Sequence, residues 1–85
     1  MSIKEISHHW GELEYQGREA IVYFDTKKKL FFVEYWEGGS KISSREMISN
    51  HEDGGRVVHS ARYAEDAAEN YCLGYMPLDG YKKDD

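Results

Sequence analysis

Four histidines and one cysteine have the widest chemical range in this 85-residue chain. These five side chains could each ligate a transition metal, and a thiol beside a histidine could act as a nucleophile; they are His8, His9, His51, His59 and Cys72. Their spacing matches no compact zinc motif, and a lone cysteine on the apolar stripe of a helix is most often a small buried hydrophobe. The pattern therefore predicts no metal site, no cofactor and no catalytic residue.

Carboxylates recur in pairs that could in principle carry acid and base chemistry. The pairs are Glu12 with Glu14, Glu34 with Glu37, and Glu65 with Glu69. The first pair would share one face of a strand and the last pair one face of a helix. General acid and base catalysis needs a pocket that shifts a carboxyl pKa, and no sequence feature supplies one. We expect these carboxylates to form either an ordinary solvated surface or a negative rim that steers a basic protein partner, such as a nucleic-acid-binding protein.

The net charge of −5 disfavours a surface built mainly to bind phosphate. Only the short run Lys27 to Lys29 is basic, and it reads as a hairpin turn, so direct nucleic-acid binding is not expected. The sequence shows no apolar run long enough to span a membrane, no signal-peptide core at its start and only one cysteine, which together predict a cytoplasmic location.

Two neighbouring segments have the composition of a β-hairpin. Arg18 to Asp25 and Leu30 to Trp36 are rich in β-branched and aromatic residues, and a polar connection joins them. The segment from Ile6 to Tyr15 reads as an earlier strand, with Gly11 at a bulge or a close backbone approach. The segment from Ser40 to Ser49 fits either a strand or a short helix, whereas Arg56 to Ser60 reads as a short strand.

The hydrophobic period changes after Ser60. Small and aromatic residues then recur at spacings of three and four, which predicts one α-helix that ends near Gly74; they are Ala61, Ala64, Ala68, Tyr71, Cys72 and Tyr75. The predicted fold class is α+β: a small antiparallel β-meander of three to five strands with one C-terminal helix packed on one face. Residues 1–77 would form a single domain and residues 78–85 a loose tail.

The hairpin carries large apolar side chains on both of its faces, although one helix can cover only one. The uncovered groups could be buried by another element, or they could form an interface that uses aromatic anchors and acidic edges. The candidate contact residues are Trp10, Tyr23, Phe32, Tyr35, Trp36, Glu12, Glu14, Glu34 and Glu37.

Three functions fit these features. The first is a non-catalytic binding module, an inhibitor or adaptor that docks its aromatic sheet face onto another protein. In size and charge alone, such a chain is similar to phage and mobile-element inhibitors of host enzymes, including anti-CRISPR proteins. The second is a structural domain that forms a homodimer or larger homo-oligomer through its second face. The third is a small metal- or thiol-dependent enzyme that uses histidine and Cys72.

Overall fold

A computed structural model describes residues 2–50 and 53–75, so the tail predicted over residues 78–85 lies outside the described residues. Four antiparallel strands form a meander in the order β1-β2-β3-β4, and β5 pairs with β6 as a separate hairpin. The strands are β1 Ile3–Trp10, β2 Arg18–Asp25, β3 Leu30–Glu37, β4 Ser40–Glu46, β5 Ile48–Asn50 and β6 Arg56–Val58, and helix α1 is Ala61–Cys72. The predicted α+β meander with a C-terminal helix on one face is confirmed.

The turns of the meander follow from their residues. At the turn between β2 and β3, the Asp25 carboxylate accepts hydrogen bonds from the backbone N–H groups of Lys27 and Lys28, at 3.0 and 3.1 Å. Between β3 and β4, Gly38 and Gly39 have φ angles of 60° and 86°, the left-handed conformation that a two-residue hairpin turn requires. The predicted hairpin of β2 and β3 is therefore present, and β4 extends it by one strand.

The first strand differs from its predicted extent. It covers Ile3–Trp10 and stops before Gly11, and Leu13–Tyr15 forms a single 3-10 turn where a continuing strand had been expected. Glu12 and Glu14 therefore do not share one face of a strand. The backbone of Gly11 lies against the carbonyls of Tyr15 and Cys72, and strand periodicity does not report such a tertiary contact.

The segment from Ser40 to Ser49, for which the sequence fits either a strand or a short helix, is extended. It forms β4 and then β5, and Met47 lies between them with its N–H bonded to the Phe31 carbonyl at 2.9 Å. The Met47 side chain is buried on the helix side of the sheet. It therefore adds to the main core and does not cover the second face. The short strand predicted near Arg56 is present as β6.

Helix α1 packs its stripe of small residues against the sheet. Ala64, Ala68, Tyr71 and Cys72 are buried, and they meet side chains of β2 and β3; the sheet side of this core includes Ala20, Val22, Val33 and Tyr35. The Ser60 hydroxyl caps the helix by accepting from the Tyr63 N–H at 3.3 Å. Alanine lets the helix lie close to the strands, as the spacing predicts.

The helix ends in a Schellman motif that uses the predicted stop residue. Gly74 has φ 77°, its N–H bonds to the Tyr71 carbonyl, and the N–H of Tyr75 bonds to the Asn70 carbonyl, each at 3.1 Å. Tyr75 had been expected to continue the buried stripe. Its side chain is instead exposed, because the chain reverses at Gly74 before another turn of helix can form.

No helix in the described part of the chain is long and apolar enough to cross a membrane.

Candidate functional site

The most exposed large apolar side chains near one another lie where strand β1 and helix α1 both end. At this end the backbone of Gly11 comes so close to its neighbours that a Cβ there would be 2.0 Å from the Tyr15 carbonyl oxygen and 2.9 Å from that of Cys72. Only glycine fits such an approach. The contact brings the 3-10 turn Leu13–Tyr15 against the C-terminal end of α1, with about sixty residues of sequence between them.

Leu13 is the most exposed large apolar residue of the described chain, at 86%. Its backbone has φ 56°, in the left-handed region that bulky residues rarely adopt. Because the Leu13 side chain is exposed, it adds little hydrophobic stabilisation to the fold, and its positive φ costs backbone free energy. The stability of the fold therefore does not explain a leucine at this position. Trp10 and Leu73 are also exposed, at 62% and 49%.

Two adjoining surface hollows lie between these residues. The leucine hollow has a volume of about 430 Å³ and is lined by Glu12, Leu13, Glu14, Tyr15, Cys72 and Leu73. The tryptophan hollow has a volume of about 350 Å³ and is lined by His8, His9, Trp10, Glu12, Glu69, Cys72 and Leu73. Because Glu12, Cys72 and Leu73 border both, the two hollows form one continuous surface, which we call the end patch. It combines apolar walls with three carboxylates.

Trp10 is oriented by a neighbouring histidine. The His8 ring stacks on the indole with centroids 4.1 Å apart and planes 13° apart. His8 is itself held by a hydrogen bond between its Nε2 and the Glu19 carboxylate, with Glu5 at 4.0 Å from Nδ1. The exposed indole therefore has a defined orientation, which reduces the entropy that a partner would have to remove on binding.

Arg18 contacts Tyr15, one of the residues that line the leucine hollow. Its guanidinium lies 4.9 Å from the ring centroids of both Tyr15 and Tyr71, and its Nη1 donates to the Tyr71 carbonyl at 2.9 Å. Its Nε lies 3.8 Å from the Glu37 carboxylate. Glu37, a predicted contact residue, thus takes part in fixing the patch and lies 3.8 Å from a cation of its own chain.

The carboxylates of the end patch differ from those of the main sheet in having no ion-pair partner among the residues that the structure describes. Across the described residues, neither Glu12, Glu14 nor Glu69 forms a salt bridge. Every carboxylate on the four-stranded sheet has a cation, an imidazole or a backbone N–H within 4.0 Å; these are Glu5, Glu19, Asp25, Glu34, Glu37 and Glu46. Unneutralised negative charge therefore borders the most exposed apolar groups.

No family model matches the chain, and no curated protein or solved structure is significantly similar to it.

The described histidines and Cys72, the candidate metal ligands and nucleophile, differ in their surroundings. His8, His9 and Cys72 do border one hollow, but no three ligand-type side chains within residues 2–50 and 53–75 are arranged to hold a metal ion. His51 lies outside the described residues, and His59 bonds to the Ser49 hydroxyl at 2.7 Å. Burial raises the pKa of the Cys72 thiol to about 11, which is opposite to the shift that activates a nucleophile.

The predicted aromatic contact residues divide between the two faces of the sheet. Tyr35 is 1% exposed and packs edge-on against Tyr71 beneath the helix. A side chain buried in this way cannot touch a partner while the fold is intact, so Tyr35 has no place in a contact surface. Tyr23, Phe32 and Trp36 lie on the opposite face and are half-buried.

That opposite face, the open face, lies away from helix α1, which packs on the other side of the sheet. Tyr23 and Phe32 stack there with centroids 5.1 Å apart, and Glu34 lies beside them, 3.5 Å from Lys41. Burial, then the negative charges of Glu34 and Glu5, raise the pKa of Tyr23. The Nε1–H of Trp36 is buried and has no acceptor within the described chain. These side chains support one another and present less apolar surface than Trp10, which lies at the rim of this face.

Sequence reasoning identified Trp10, Glu12 and Glu14 but missed Leu13 and Leu73 as surface residues. Leu13 was taken for part of the strand, and Leu73 lies off the apolar stripe of the helix. The one local signal was Gly11, a glycine inside an apparent strand, which indicates a close approach or a break. Nothing local indicated that Leu73 and Glu69 meet the turn at Gly11, because that proximity depends on how the helix crosses the sheet.

Proposed function

We propose that the chain is a small, non-catalytic protein-binding module that docks the end patch onto a basic protein. The observation that carries the proposal is the exposed Leu13 in a disfavoured backbone conformation, beside Trp10 and Leu73. Apolar anchors bordered by carboxylates that form no salt bridge within the described residues match the usual form of an interface, in which apolar burial gives affinity and charge gives orientation. An inhibitor or adaptor in the cytoplasm is the specific role proposed, including inhibition of a host enzyme by a phage-encoded protein.

Two further observations support a binding role over a catalytic one. The thiol of Cys72 is buried and stays protonated near neutral pH, since burial raises its pKa to about 11. The end patch is a pair of surface hollows with exposed walls, whereas catalysis by carboxylates needs a site that excludes water and shifts their pKa.

The proposal is tested by site-specific crosslinking. A photoreactive phenylalanine analogue is placed at Leu13, and in a matched variant at Val57, which is exposed on β6. We expect one basic protein to crosslink through position 13 and not through position 57. Affinity for the purified partner should then fall at least about tenfold in Trp10→Ala, as is usual for a buried aromatic anchor.

A Val58→Ser variant should bind the partner as the unchanged chain does, because Val58 is exposed on the hairpin and lies outside the end patch. Crosslinking through position 57 alone, or equal affinity of Trp10→Ala and the unchanged chain, would place the contact elsewhere and refute the proposal.

A second candidate, a homo-oligomer, is favoured by strand β1. This strand lies at the edge of the sheet, with one neighbour, β2, and carries the exposed Ile3 and Ile6. An edge strand with exposed apolar residues can pair with the same strand of a second copy. Sedimentation across a hundredfold range of protein concentration tests it: a dimer that Ile6→Lys converts to a monomer would support it, and a monomer throughout would exclude it.

A further inference from the structure

We infer that the tryptophan hollow receives an arginine side chain of the basic partner, while the adjoining leucine hollow receives a neighbouring apolar side chain. This inference deepens the proposed function, on which it rests, by stating the chemistry of the docked segment.

The walls of the tryptophan hollow suit a planar cation. Trp10 borders it, and because one indole face stacks on His8 while the residue is 62% exposed, the other face remains accessible. A guanidinium prefers to stack on an indole face and to donate in its own plane to carboxylates. Glu12 and Glu69 border the same hollow, and neither has a salt bridge within the described chain. A flat apolar surface and two free acceptors are thus available together.

The protein uses the same arrangement internally. Arg18 lies between the rings of Tyr15 and Tyr71 and donates to a carbonyl at the end of helix α1. The C-terminal end of a helix carries partial negative charge, which favours a cation nearby. The charge of Arg18 is offset by the Glu37 carboxylate, 3.8 Å from its Nε, and Lys41 lies 3.5 Å from Glu34. The carboxylates of the hollow therefore remain available for a cation from outside.

The walls of the leucine hollow are mainly apolar, in contrast to those of the tryptophan hollow. Leu13, Tyr15 and Leu73 form apolar walls, and the thiol of Cys72 is held neutral by its raised pKa. Its volume of about 430 Å³ accommodates a leucine-sized side chain. Because Glu12 and Leu73 border both hollows, two neighbouring side chains of one partner segment can occupy them together. The predicted recognition element is an arginine next to an apolar residue.

Two capped dipeptides test this inference with the full chain. Acetyl-leucyl-arginine amide is titrated into the isotope-labelled protein and followed by amide chemical shifts, and acetyl-leucyl-citrulline amide serves as the uncharged probe of equal shape. We expect saturable shifts confined to residues 8–15 and 69–74, which include the walls of both hollows, with affinity about tenfold weaker for citrulline, since a charge-assisted hydrogen bond is lost. The arginine affinity should also fall as sodium chloride is raised.

Two matched variants test which carboxylate of the helix binds the arginine probe. Glu69→Gln should weaken the arginine probe severalfold, whereas Glu65→Gln, which removes an unpaired carboxylate one helical turn away and outside both hollows, should not. Equal affinity for the two probes, shifts outside the end patch, or equal effects of the two variants would overturn the inference. If a partner crosslinks through position 13 but the arginine probe does not bind, the docking role stands and the arginine inference fails.

Discussion

Arg18 donates a hydrogen bond from its Nη1 to the carbonyl of Tyr71 at 2.9 Å, and this bond joins the first residue of strand β2 to the last turn of helix α1. The same guanidinium lies 4.9 Å from the centroid of the Tyr15 ring. One side chain therefore holds three elements together at the end of the molecule: a strand, a 3-10 turn and the helix terminus. The shape of the end patch depends on this contact.

The first prediction concerns that contact. Arg18→Met should lower the free energy of unfolding by about 2 kcal/mol, because it removes one of the donors to the Tyr71 carbonyl and takes a cation away from two aromatic rings. Urea denaturation measures the change. Arg62→Met is the control, since Arg62 is exposed and its nearest carboxylate is 4.0 Å away, so its effect should stay within about 0.5 kcal/mol. Equal effects of the two variants would contradict the role of Arg18.

The second prediction separates stability from binding at Leu13. Leu13→Asn should leave the free energy of unfolding unchanged or raise it by up to about 1 kcal/mol, because asparagine tolerates a positive φ and the leucine is exposed. The same variant should lose affinity for the partner. Lys29→Asn is a matched control, since Lys29 also has a positive φ, 59°, but lies outside both hollows. Lys29→Asn should be as stable as Leu13→Asn and should keep the affinity of the unchanged chain for the partner. A marked loss of stability in Leu13→Asn would show that the Leu13 side chain is needed for the fold.

The third prediction concerns two glycines near the patch. Gly74→Ala should destabilise the fold by about 2–4 kcal/mol, because a Cβ there would lie 2.3 Å from the Tyr15 ring and the backbone has φ 77°. Gly38→Ala isolates the backbone effect, since Gly38 has φ 60° with nothing within 4 Å of a Cβ. It should cost only about 1 kcal/mol. Thermal or urea unfolding measures the free energy of unfolding of the two variants. Similar losses of stability in Gly74→Ala and Gly38→Ala would argue against the close contact with Tyr15.

The fourth prediction concerns the reactivity of Cys72. Its pKa of about 11 leaves far less thiolate at pH 8 than an ordinary cysteine has. Alkylation by iodoacetamide at pH 8 should therefore be about a hundredfold slower in the native protein than in urea. The rate is read by mass spectrometry. A native rate close to the rate in urea would mean that the thiol is accessible and would reopen the thiol-enzyme hypothesis.

The fifth prediction follows from the same pKa through linkage. The folded pKa of Cys72 lies above its unfolded value, near 9.0, so the neutral thiol stabilises the folded state below pH 9 and that contribution is lost as the pH rises towards 11. Stability should fall over this window by less than about 3 kcal/mol from this group, since the shift spans two pKa units and solvent screening reduces its effect. Tyr23, whose pKa is also raised, acts in the same direction. Cys72→Ala should show a shallower fall between pH 8 and pH 11, and an identical slope would contradict the assignment.

Local sequence patterns were sufficient to predict most of the fold. The β-branched and aromatic runs of β2 and β3, and the three-and-four spacing that begins at Ala61, predicted a hairpin and a helix that the structure contains. These elements were predictable because their side-chain periods, two and 3.6 residues, are properties of contiguous sequence. The segment from Ser40 to Ser49 was ambiguous for the same reason, since a short stretch with few apolar residues fits either period. Pairing with β3 made its first part, Ser40–Glu46, a strand.

Residue types and spacing were enough to predict that the hairpin has two apolar faces, that one helix covers one of them, and that carboxylates and aromatics share the surface. Which face the helix covers depends on long-range packing, which buries Tyr35 and leaves Trp36 on the other side. It also brought Leu73 and Glu69 to the turn after Gly11. The physical reason is that alternation along a strand fixes which residues share a face, whereas the choice of face and the crossing of the helix depend on packing between residues far apart in the chain.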